Sequence, residues 1–155
     1  MANSGMKLRL HNDMTAAMKA RDDLRKSTLR MALTAVTKAE VSGREARELS
    51  DAEVLDVLTA EAKKRRESVT AYREAGRAEL ADKEQAEADI LAEYLPEQLT
   101  AEEITALVTE TIAATGAAEL GPRGIGKVMG ALQPKVKGKA DGGSVSAEVK
   151  RQLGA

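Results

Sequence analysis

The 155 residues carry 24 Lys/Arg against 25 Asp/Glu, a net charge of −1, with no Cys, Phe or Trp. Lack of Cys excludes disulfides and thiolate metal sites and fits a reducing compartment. No apolar run reaches the length of a membrane span, and the first residues have no apolar signal-peptide core, so a soluble, cytoplasmic protein is expected.

Helical signals run along the chain and strand signals are missing. Met1 to Gly5 read as a loose leader, with Met6 as an alternative start. His11, the single histidine, falls in the first helical pattern with no evident partner, which suits a surface or packing role rather than catalysis. Leu29, Ala32, Leu33 and Val36 mark an amphipathic helix from Asp22 to about Val41, closed by Gly43. Ser50-Asp51-Ala52-Glu53 is a capping box, and the helix it opens presents Val54, Val57, Leu58, Ala62, Val69 and Tyr72 on one side and ends near Gly76. Leu80, Glu84, Ala88, Leu91 and Leu95 trace a further helix to Pro96, where the proline disfavours helical geometry at the residue before it. Thr100-Ala101-Glu102-Glu103 is a second capping box, with Ile104, Leu107, Val108 and Ile112 inward. Ile125, Val128, Met129 and Leu132 form another helical face, and Val145, Val149 and Leu153 the last. The expectation is an all-α chain with an N-terminal bundle of about four helices, residues 1–95, and a small C-terminal three-helix domain, residues 96–155.

Charge is unevenly spread. Residues 1–75 hold 15 Lys/Arg against 12 Asp/Glu, residues 76–120 hold 2 against 11, and residues 121–155 hold 7 against 2. The segment from Gly121 to Gly142 contains five cations and no carboxylate before Asp141, and glycines punctuate it. Such a surface suits an anionic partner, a nucleic-acid backbone first among them; the alternative is attraction between the acidic and basic parts within the fold. Gly121 to Lys127 also fits the opening of a phosphate-binding G-x-x-x-x-G-K loop. Val128 stands where that motif needs a Mg²⁺-binding hydroxyl, and Ala113 to Ala118 do not read as the strand that should precede it, so nucleotide hydrolysis is rejected.

Two stretches resemble a known family. Gly126-Lys127-Val128-Met129-Gly130, Pro134-Lys135, Gly138-Lys139-Ala140-Asp141-Gly142, Val145 and Val149-Lys150 look like the hallmark of the GatB/YqeY family. Lys64-Arg65-Arg66-Glu67-Ser68, Ala75-Gly76-Arg77, Leu80-Ala81, Lys83-Glu84 and Glu93-Tyr94-Leu95-Pro96-Glu97-Gln98-Leu99 agree with it in the same order. The resemblance is to stand-alone YqeY-like members, because the chain is too short for an amidotransferase B subunit. It implies a tail similar to the small helical domain with which that subunit contacts tRNA. The cradle domain in which the subunit activates a carboxylate has no counterpart here. With no Cys for glutaminase chemistry and no cluster of His with carboxylates, no catalytic residue, cofactor or metal is expected.

The remaining features have plainer readings. Lys63 to Arg66 spread around a helix and are expected to pair with Glu61 or Glu67 or to lie over the bundle surface. Glu79, Asp82, Glu84, Glu87, Asp89 and Glu93 read as the wet face of a helix, and Met14, Met18, Met31 and Met129 as core gap-fillers.

Together these observations predict a non-catalytic protein whose C-terminal domain binds tRNA or another structured RNA. Arg123, Lys127, Lys135, Lys137 and Lys139 would contact phosphates, Lys135 and Lys137 from a loop after Pro134. Gly124, Gly126, Gly130 and Gly138 would permit close backbone approach, and N–H groups at a helix start near Arg123 would add positive potential. The first alternative is an adaptor for a translation or tRNA-modifying protein. A weaker one is an accessory to carbon–nitrogen ligase activity with glutamine as amido donor.

Overall fold

The computed structural model describes residues 5–154, and among them there are seven α-helices and no strand. The part of the expected leader before Gly5 lies outside the described residues. The helices are α1 (Gly5–Lys19), α2 (Asp23–Glu40), α3 (Asp51–Glu74), α4 (Ala78–Ala92), α5 (Ala101–Thr115), α6 (Ile125–Val136) and α7 (Gly142–Leu153), with a 3₁₀ segment over Ala117–Gly124. Contacts divide the chain into two compact units, Met1–Leu95 and Pro96–Ala155.

Local chemistry sets the helix starts. At α3, the Ser50 hydroxyl accepts from the Glu53 N–H while Glu53 accepts from the Ser50 N–H, and Thr100 with Glu103 repeats the arrangement at α5. Each box satisfies two donors that a helix N-terminus otherwise leaves free. Asp22 caps α2 by accepting from the Arg25 N–H. Gly5 and Met6, placed by the sequence reading at the edge of a leader, belong to α1, and the Met6 N–H donates to Asp51 at 3.1 Å. Helix α2 stops at Glu40, short of Gly43, and the returning Arg47 N–H bonds the Glu40 carbonyl.

The first unit packs Leu10 of α1, Leu29, Ala32, Leu33 and Val36 of α2, Val54, Leu58 and Ala62 of α3, and Ile90 and Leu91 of α4. Polar links close its edges. Lys7 pairs with Glu40 at 2.9 Å, and the Leu49 N–H also donates to that carboxylate. The Lys7 hydrogen bond, more than any other cause, holds the Glu40 carboxyl below the usual range. Buried Tyr94 donates its hydroxyl to Asp13, with the Arg9 guanidinium 4.4 Å from its ring centroid. Two methionines read as gap-fillers are not in the core: Met18 is 51% exposed and Met31 40%. Their places at the helical apolar spacing are taken by Ala17 and Ala32, which let the helices approach closely.

In the acidic row from Glu79 to Glu93, exposed as expected at Glu79, Asp82, Asp89 and Glu93, one member departs from expectation. Glu87 is buried between α3 and α4, its side chain only 6% exposed, and Arg65 of α3 lies 3.4 Å from it and 3.7 Å from Glu84. Arg65 also pairs with Glu61 at 3.5 Å, so one guanidinium serves three carboxylates. Burial first, then the neighbouring Glu84, raises the Glu87 carboxyl above the ordinary value. Lys64 pairs with Glu61 and Lys63 with Glu67, so most of the basic run 63–66 is engaged within its own helix or its neighbour.

The second unit is built on Val108 and Ile112 of α5, Ala117 of the 3₁₀ segment, Val128, Leu132 and Val136 of α6, and Val145, Val149 and Leu153 of α7. Helix α6 continues through Pro134 to Val136 instead of ending before the proline. Val136 lies at i+4 from Leu132 and i+8 from Val128, and burying it holds the last turn helical although Pro134 gives up one backbone hydrogen bond. Lys135 is therefore helical, not in a loop.

Gly124 is where the 3₁₀ segment turns into α6. A Cβ added there would sit 2.9 Å from the Ala117 carbonyl oxygen and 3.0 Å from the Ala117 Cβ, a backbone atom and the short side chain of a buried residue that cannot step aside cheaply. We expect Gly124→Ala to destabilise the second unit by about 1–3 kcal/mol, read as a lower denaturant midpoint, while its φ of −81° is one that alanine accepts without strain.

Candidate nucleic-acid interface

The basic segment is a helix and a turn fixed to it. On α6 the buried positions Val128, Leu132 and Val136 leave Gly126, Lys127, Gly130, Pro134 and Lys135 at the solvent-facing positions, all of them exposed. Nothing lies within 4 Å of a Cβ built on Gly126 or Gly130, so this face is bare backbone with lysines beside it. Arg123, at the end of the 3₁₀ segment, is exposed as well.

Lys137 and Lys139 flank Gly138 in the connection to α7. Gly138 has φ 76°, a conformation costly for other residues, and it is buried. Its carbonyl accepts from Gln98 Nε2 at 2.7 Å, and the neighbouring Lys139 carbonyl accepts from the Leu99 N–H at 2.8 Å. Lys139 and Ala140 N–H groups both bond the Val136 carbonyl. These contacts hold the backbone of Lys137 and Lys139 in one shape, so ordering it on binding costs little. Asp141, the first carboxylate after the basic run, caps α7 by accepting from the Ser144 N–H at 2.9 Å and the Ser144 hydroxyl at 2.7 Å.

Two of the glycines have internal duties. Gly124 and Gly138 are buried, the first for contact with Ala117 and the second for its turn, so neither offers backbone to a ligand. The expected free helix start near Arg123 is also altered. Helix α6 begins at Ile125, directly after the 3₁₀ segment, and the Ile125 N–H is already bonded to the Pro122 carbonyl. The G-x-x-x-x-G-K spacing thus spans a 3₁₀ segment and a helix start, preceded by helix α5.

Among the described residues no carboxylate forms an ion pair with Arg123, Lys127, Lys135, Lys137 or Lys139. The acidic side chains of α5, Glu102, Glu103 and Glu110, are exposed and do not reach them. Arg151 differs: Glu148 holds it at 2.6 Å, and that hydrogen bond, with one from Gln152, lowers the Glu148 carboxyl to about 2. Lys150 is a further exposed cation of this unit with no ion pair among the described residues; it belongs to the family-like Val149-Lys150 pair but was not placed among the phosphate contacts. Gln98 was the residue least visible in advance. Its side chain reaches 40 positions along the chain to the Gly138 turn, and only its place in the family-like stretch from Glu93 to Leu99 hinted at a role.

Among the described residues no three His, Cys, Asp or Glu side chains are grouped to hold a metal ion, and no helix is long and apolar enough to cross a membrane. Fold and site together define an all-α protein in which a helical bundle precedes a small helical unit bearing a pinned basic turn. A family model, that of the Yqey-like proteins, matches residues 7–153, and the chain belongs to the YqeY-like family. It is also 31% identical over 86 residues to "Altered inheritance of mitochondria protein 41, mitochondrial" of Eremothecium gossypii, a match covering 56% of this chain and 46% of that one. The match thus spans about half the length of the curated relative.

Proposed function

We propose that this protein is a non-catalytic RNA-binding protein whose second unit grips the phosphate backbone of tRNA or another structured RNA. The carrying observation is the set of five exposed cations without carboxylate partners, two of them on a turn whose backbone is already fixed. In the first unit Lys7, Arg9, Arg25, Lys26, Arg47 and Arg65 are each engaged by an acid, while among the described residues Arg30 and Lys38, with others, are not. Cations left unpaired in a compact unit repel one another mildly, and an anionic partner relieves that repulsion.

The bare face at Gly126 and Gly130 lets a sugar–phosphate chain approach α6 closely, with Lys127 and Lys135 beside it. No aromatic residue follows Tyr94, so this unit stacks no bases, and recognition follows RNA shape rather than sequence. The cysteine-free sequence favours a reducing compartment, and the cytoplasm is the one proposed; the Eremothecium relative carries the word mitochondrial in its own name.

The test is a paired substitution. Lys135→Ala with Lys137→Ala should weaken binding across many RNAs and reduce the log–log salt slope by about two, because each lost cation removes about one phosphate contact. Circular dichroism should stay unchanged: alanine is a stronger helix former than lysine at position 135, and both side chains are exposed. RNA affinity that is the same in the variant and the parent would refute the assignment.

A further inference from the structure

A second basic surface lies on the other unit, and its chemistry is different. Helices α1 and α2 enclose an open groove of about 470 Å³. Met14 and Leu33 form its apolar floor, and His11, Arg30 and Lys38 stand around it. Thr34 and Thr37 complete the lining, with the Thr34 hydroxyl already donating to the Arg30 carbonyl, and among the described residues no carboxylate lines the groove. His11, Arg30 and Lys38 are exposed, and among the described residues none of them is in an ion pair. Met18, one turn beyond Met14 on the same side of α1, is 51% exposed and extends the apolar strip toward the end of that helix.

We propose that this groove docks an acidic amphipathic helix of a partner protein, with apolar side chains on the methionine floor and carboxylates on Arg30 and Lys38. The charge at the rim is of one sign and, among the described residues, unanswered by any ion pair, which makes an acidic partner complementary. The floor decides between the possible acidic partners. A phosphodiester chain gains nothing from Met14, Met18 and Leu33, and of the lining side chains His11 alone carries a ring on which a base could stack. An aliphatic side chain gains from all three, and flexible methionines adapt to its shape. Two antiparallel helices with an apolar seam between charged rims form the groove into which a third helix lays anchors at helical spacing. This surface is separate in chemistry and position on the chain from the glycine-lined basic face of α6, so its failure would leave the RNA proposal standing.

Fluorescence anisotropy of a short labelled helical peptide, with leucines on one face and glutamates beside them, tests this on the full chain. Versions with Glu→Gln or Leu→Ser changes and a single-stranded oligoribonucleotide complete the set of probes. The parent peptide should bind, and either change in it should weaken binding on the order of tenfold. Arg30→Glu with Lys38→Glu in the protein should weaken it at least as much, whereas Lys135→Ala with Lys137→Ala should have no effect. Lys38→Glu alone serves if the double variant loses helicity. Absence of peptide binding, or binding indifferent to the groove substitutions, would overturn the proposal. So would an oligoribonucleotide whose affinity falls with Arg30→Glu and Lys38→Glu while the peptide does not bind, because the groove would then be a phosphate surface.

Discussion

Leu132→Ala is expected to destabilise the second unit by about 2–5 kcal/mol, the range for emptying a fully buried leucine site. Leu132 is 0% exposed at the middle of α6, with Val128 and Val136 one turn to either side. The unit runs from Pro96 to Ala155, near the size below which one core barely holds a domain together, so such a loss removes much of its stability. The loss should be confined to the residues after Leu95. Hydrogen exchange would then show α5, α6 and α7 losing protection while α2 and α3 keep theirs. Uniform loss across both units would mean that they unfold as one body. RNA binding should fall with the second unit, since the pinned turn depends on the packing of Val136.

Arg65→Met carries an effect of similar size in the first unit. Arg65, its side chain 12% exposed, is the guanidinium shared by Glu61, Glu84 and Glu87. Methionine fills a comparable volume but leaves carboxylates in a poorly solvated place, and removing one partner of a buried ion pair typically costs about 3–5 kcal/mol. Replacing an acid instead should do the reverse. The folded-state pKa of Glu87 is raised, chiefly by burial and then by Glu84, so its folded form holds a proton more tightly than the unfolded chain does. Such a group adds stability below its unfolded pKa and loses that contribution as pH rises through its folded pKa. Glu87→Gln should therefore raise the melting temperature at neutral pH and give little gain in acid, with Glu61 and Glu84 still available to Arg65. Thermal melts of the variant at neutral and acid pH check the sign; a gain confined to low pH would contradict it.

The parts of this fold that were readable in advance are those whose physics is local. Ser50 with Glu53 and Thr100 with Glu103 announce helix starts within four residues, and apolar sets such as Val145, Val149 and Leu153 announce a buried stripe. The errors fall where a distant partner decides. Glu87 sits in an acidic row that reads as solvated, and only Arg65, more than twenty positions earlier, explains its burial. Pro134 looks like a helix stop until Val136 is seen to need the core. Gly124 and Gly138 share their composition with Gly126 and Gly130, yet Ala117 and Gln98 give them inward duties that no local pattern records. The cations themselves were legible because charge without a nearby countercharge is a property of composition. That the turn carrying Lys137 and Lys139 is pinned was not, since it rests on Gln98 and Leu99 reaching across the unit.

The most direct test of the central claim is the equilibrium binding of unmodified tRNA to the full chain across a series of salt concentrations. With about three to five phosphate contacts through Arg123, Lys127, Lys135, Lys137 and Lys139, the slope of log affinity against log salt should be on the order of −2 to −4. The expected result is binding at low salt that weakens along that slope. No measurable tRNA binding at low salt, with the helical signal intact, would contradict the account.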